Sequence, residues 1–190
     1  MCNESYSVLR ALYRIENDSE YVIKLKYNNS FFTLTKVNYW RVIILQLSKL
    51  YMEDERFNIP KLLSKCRKNN YFSALNINSE FIESELNKIS QKAERISHIK
   101  IQRDKLFAHE DYSRDEIVND LTLDETKELM DMCQNIIFEI YQEVFDTHYY
   151  FEIGNSAERN LQSIIKNLEE IHNIRNEERN NIFKLLNRGK

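Results

Sequence analysis

Apolar side chains fall along this chain at helical rather than strand spacing. From residue 5 to 27, Tyr6, Leu9, Leu12, Tyr13, Ile15, Val22, Ile23 and Leu25 lie roughly on one helical face, interrupted by the polar stretch ENDSEY. A second helix is predicted from about Phe31 to Met52. Its middle, VNYWRVIILQLSKLY, is apolar almost all round, which marks the central helix of a bundle. Asn58 can cap a short helix over IPKLLSKCRK, with Pro60 near its first turn. After the polar linker NNYFSALNINSE, Ser79 opens a long helix in which Ile82, Leu86, Ile89, Ala93 and Ile96 step by four and three. That stepping makes position 103 the next inward site after 99 or 100, and position 103 is an arginine.

Past His109 the segment EDYSRDEIVND is acidic and irregular. Thr122 followed by Glu125 forms a capping box, opening a helix through Leu129, Met132, Ile136, Ile137, Ile140 and Val144. Gly154 and Asn155 then break the chain. A last amphipathic helix, about 156–187, runs through Leu161, Ile164, Leu168, Ile171, Ile182 and Leu185. Its patch NIRNEERNN is poor in apolar residues, as in a helix that frays, bends or meets a partner. The helix could close the bundle, or serve as a dimer arm or docking surface. No internal repeat is present, and the pattern predicts one all-α domain over 1–190 with five or six helices.

Composition supports this. Only 2 Gly and 1 Pro occur in 190 residues, too few for the turns that sheets require. The chain is 42% hydrophobic and 30% charged, neither disordered nor membrane-embedded in character. A net charge of −3 does not advertise a nucleic-acid binder, so any such role rests on local patches. Cys2, Cys66 and Cys133 are odd in number and widely spaced, as expected of free thiols in a reducing cytosol. The opening MCNESYSVLR has no secretory pattern, and VIILQL is too short to span a bilayer. A soluble cytoplasmic protein is expected.

Familiar enzyme signatures are missing. There is no H-E-x-x-H and no cysteine pair, and His98, His109, His148 and His172 are scattered. Neither a metal site nor a cofactor is expected. The glycines of a phosphate-cradling loop are lacking, as is G-x-S-x-G. What stands out is IKIQRDKLFAHEDYS, with Arg103, Asp104 and His109. On a straight helix, Arg103 and His109 would be separated by about 9 Å of rise and about 120° of rotation. One site using both needs a bend near Ala108, or a second copy of the helix across a two-fold axis. The blander alternatives are a snorkelling arginine paired with a carboxylate and a histidine neutralising a helix C-terminus.

The string RDKLFAH resembles the R-x(4–6)-H motif of the HEPN superfamily, in which a polar residue commonly follows the arginine. IQRDKLFAHED, after a long amphipathic helix and before a capped one, is similar to the AbiU-like abortive-infection branch, the likeness covering about residues 31–150. The resemblance implies an up-and-down helical bundle, a homodimer and, in active members, metal-independent RNA cleavage. It makes Arg103 and His109 the catalytic residues, with Asp104 orienting Arg103. Such chemistry uses the RNA 2′-hydroxyl as nucleophile and leaves 2′,3′-cyclic phosphate ends. Histidine can move the proton near neutral pH, and arginine offers a planar fork to phosphate oxygens. In paired toxins of the superfamily a tyrosine follows the histidine after one residue. Here the nearest is Tyr112, which argues against an antitoxin that works by modifying it.

Lys61, Lys65, Arg67 and Lys68 occur without an intervening acid and, with Lys100 and Lys105, could form an electropositive floor for RNA; a solvated helix face is the plainer reading. Tyr39, Trp40, Phe138, Tyr141 and Phe145 have the spacing of core residues rather than base-stacking platforms. The expectation is a toxin or effector in antiphage defence or a toxin–antitoxin system, with an antitoxin or effector protein as possible partner. The alternative is a non-catalytic HEPN-like dimerisation or regulatory subunit.

Overall fold

The computed structural model describes residues 2–16, 29–104, 121–147 and 156–187. Among them are seven α-helices and no strand: α1 (Cys2–Glu16), α2 (Asn29–Tyr51), α3 (Ile59–Cys66), α4 (Ser79–Gln91), α5 (Ala93–Ile101), α6 (Leu123–Phe145) and α7 (Ser156–Asn187). The all-α reading therefore holds. The helix count among the described residues exceeds the expected five or six because the long helix opened by Ser79 breaks at Lys92, whose φ of −96° and ψ of 11° lie outside helical geometry. The stretch ENDSEY and the pair Gly154–Asn155 lie outside the described residues. None of the described helices is long and apolar enough to cross a membrane.

The chain divides into two compact units, residues 1–6 with 38–153 and residues 7–37 with 154–190. In the first, the middle of α2 buries Ile43, Ile44 and Leu47, as its all-round apolar pattern requires. Buried with them in this unit are Leu63, Ile82, Ile99, Leu129 and Ile136. The Tyr51 hydroxyl donates to the Leu129 carbonyl at 2.6 Å, tying α2 to α6. In the second unit, Ala11 and Leu12 of α1, Phe32 of α2, and Leu161 and Ile165 of α7 form one small core.

Both predicted caps are present. Thr122 Oγ1 accepts from Glu125 N–H while the Glu125 carboxylate accepts from Thr122 N–H, the reciprocal capping box. At α3, Asn58 Oδ1 accepts from Lys61 N–H at 2.8 Å. Asn58 does more, because its buried Nδ2 donates to the carbonyls of Met52 and Glu55 at 2.7 and 3.2 Å. Lys61 Nζ donates to the carbonyls of Glu53 and Glu55, both at 2.6 Å. These bonds satisfy carbonyls left open where α2 ends. They fix the acidic turn of residues 53–55, which shapes the site described next.

Because Asn58 serves a cap and a turn together, Asn58→Ala should cost about 2–4 kcal/mol of stability. A urea midpoint unchanged from wild type would contradict that assignment.

Candidate functional site

At the end of α5 the chain widens into a π-helical turn over residues 102–104. Such turns insert an extra residue and occur often at functional sites. Gln102 anchors this one: it is buried, and its Oε1 accepts from the Trp40 indole N–H at 2.9 Å. Straight-helix geometry therefore ends before Arg103. Gln102 turns inward onto α2, while Arg103 and Asp104 reach toward the turn that Asn58 and Lys61 hold.

Arg103 meets three carboxylates there. Its Nε donates to Asp104 at 2.7 Å and its Nη2 to Asp54 at 3.0 Å, while Nη1 lies 3.6 Å from Glu55. The guanidinium side chain is only 15% exposed. The hydrogen bonds that Arg103 donates to Asp104, and then to Asp54, raise its pKa further above its already high value, so the charge is permanent. Conversely, the hydrogen bond from Arg103 holds the Asp54 carboxyl below its usual range. The cation is thus accommodated by the adjacent Asp104 and by Asp54, 49 residues away.

Beside this cluster lies a cleft of about 710 Å³, lined by Asp54, Pro60, Leu86, Ala93, Ile96 and Lys100 among others. Of the positions that step along α4 and α5, Ile82 and Ile89 are buried, whereas Leu86 and Ile96 are half-buried and Ala93 is exposed. The bend at Lys92 falls among the cleft-lining positions. Lys92 and Arg95 both reach Glu128 on α6, at 2.7 and 2.5 Å, and Arg95 also pairs with Glu125 at 3.1 Å. The first turns of α6 are therefore tied to Lys92 and α5.

The expected basic residues separate. Lys100 is exposed on the cleft near Asp54. Lys61 and Lys65 line a second, smaller cleft of about 290 Å³ with Arg56, Phe57 and Phe72. Arg67 is held by Glu83 through two hydrogen bonds of 2.7 Å, so its charge is locally compensated, and Lys68 is exposed. Lys105 and His109 lie outside the described residues. Sequence reasoning missed Asp54, Glu55, Gln102, Arg56 and Phe57. The run MEDER was a signal for the first two, and a tryptophan needing an acceptor was one for Gln102.

The family model HEPN_AbiU2, described as AbiU2, matches residues 1–164. The chain belongs to the HEPN AbiU2 family. It is thus an abortive-infection HEPN-like protein, and its Arg103-Asp104 pair falls inside the matched span. Neither the curated proteins nor the solved structures provide a match.

Because Arg103 depresses the Asp54 pKa, their pairing is fully present above the ordinary Asp value of about 3.9 and is lost only as pH falls through the lower folded value. The Arg103 Nη2 protons, which donate to Asp54, should accordingly stay protected from solvent exchange down to about pH 4. Loss of protection already at neutral pH would contradict the pairing.

Proposed function

We propose that this HEPN chain is a homodimeric, metal-independent endoribonuclease acting in the cytoplasm as a toxin or effector of antiphage defence or a toxin–antitoxin system. The observation that carries the reading is the presentation of Arg103. Asp104 and Asp54 orient its guanidinium beside an open cleft, while Nη1, 3.6 Å from Glu55, is too distant for a strong hydrogen bond. That makes Nη1 the most weakly held arm of the fork, the one a phosphate oxygen would take as Glu55 is displaced. Membership of the AbiU2 family and the spacing Arg103-Asp104-x4-His109 supply the rest.

In this mechanism the RNA 2′-hydroxyl attacks the adjacent phosphorus and the 5′-oxygen of the next nucleotide leaves. Arg103 stabilises charge on the equatorial phosphate oxygens. His109, contributed by the same or the second protomer, moves a proton or binds phosphate. Asp104 keeps the guanidinium in register. Lys100, and Lys105 beside the motif, favour the RNA backbone; Lys61, Lys65 and Lys68 provide a separate basic surface, to which the paired Arg67 adds little. Asp54 and Glu55 oppose an incoming phosphate, so binding requires their displacement from Arg103. An antitoxin or effector partner could set that balance.

The carboxylates around Arg103 also favour a second reading, a non-catalytic dimerisation or regulatory subunit whose arginine serves structure alone. End-labelled RNA incubated with the purified full chain in EDTA separates the two. The ribonuclease reading expects 2′,3′-cyclic phosphate and 5′-hydroxyl ends, with losses of about 100-fold or more in Arg103→Ala and His109→Ala. Indistinguishable RNA profiles and growth for wild type and His109→Ala would establish the second reading. Loss of cleavage on chelation would refute the metal-free mechanism.

A further inference from the structure

Helix α7 presents two faces. Leu161 and Ile165 are buried in the core of the second unit, with Leu168 packed at its edge. Roughly a quarter-turn away, Ile164, Ile171, Ile174, Ile182 and Leu185 form another apolar stripe, each between 46% and 69% exposed. At about 100° per residue, these side chains fall within about 60° of Ile171 on the helix wheel. Arg175 and Glu178 fall on the same stripe, at its centre, and both are exposed. The family match ends at residue 164, before most of this stripe.

Two charges in the middle of an apolar seam are unfavourable unless each meets its opposite. Their placement is self-complementary in one orientation. When a second α7 lies antiparallel, with the two-fold axis between residues 176 and 177, Arg175 comes level with the partner's Glu178, and Glu178 with the partner's Arg175. The same register sets Ile171 against the partner's Ile182 and Leu168 against the partner's Leu185. A parallel pair would instead oppose arginine to arginine and glutamate to glutamate. We infer that the exposed stripe of α7 binds α7 of a second copy of this chain, antiparallel, with the Arg175–Glu178 pairs fixing the register. The polar patch NIRNEERNN is then the centre of an interface. This interface is independent of any ribonuclease activity and of the Arg103 cluster, which belongs to the other unit.

Charge swapping on differently tagged full chains tests the register. R175E and E178R each set like charges opposite one another in a self-pair, yet complement each other in a mixed pair. Co-expression followed by two-tag capture should recover mixed pairs in about tenfold excess over either self-pair. The double variant R175E/E178R should self-associate as wild type does. Random mixing of R175E and E178R would overturn the register, even if protomers also meet elsewhere. A wild-type chain that sediments as a monomer would overturn the pairing itself. Neither result bears on RNA cleavage, which is read separately.

Discussion

A guanidinium that is largely shielded from water must be compensated, and that requirement shapes the first unit of this protein. By sequence Arg103 falls where the helical pattern asks for an aliphatic side chain; the π turn brings Gln102 inward instead, and leaves 15% of the Arg103 side chain exposed. An uncompensated cation there would be strongly destabilising. Asp104 supplies one partner locally; Asp54 and Glu55 supply the others from the turn after α2. That turn is held by Asn58 and Lys61 through its carbonyls, so the carboxylates are presented by a braced backbone.

The same arrangement bears on chemistry in two opposing ways. Orientation by carboxylates is what a catalytic arginine needs, since a fixed fork loses little freedom on meeting a phosphate. Yet each carboxylate that orients the guanidinium also repels a phosphate anion. In the proposed ribonuclease, such a site would be quiet until Asp54 and Glu55 were displaced from Arg103. For a protein of an abortive-infection family, a resting state with the cation covered is physically reasonable.

Local signals were readable in the chain; distant ones were not. Asn58, Pro60 and the Thr122–Glu125 box announce their helices because capping is decided within four residues, and both caps form. The motif Arg103-Asp104 was visible as a misfit in a helical stripe. The meeting of Arg103 with Asp54 spans 49 residues and depends on how α2 ends, which no periodicity encodes. The bend at Lys92 escaped notice for a related reason. No glycine or proline marks it, and Lys92 and Arg95, both good helix formers, reach Glu128 and Glu125. The π turn at Gln102 likewise depends on Trp40, a residue in another helix.

The central claim is that one guanidinium, held by the 53–55 turn, must change partners when phosphate arrives. Arginine-selective NMR of the full chain, titrated with a 2′-deoxy oligonucleotide that cannot be cleaved, reads this directly. Movement of the Arg103 side-chain resonances, with release of the Asp54 carboxylate from its depressed pKa, is the expected result. Saturating oligonucleotide that leaves Arg103 and Asp54 unmoved would contradict the account.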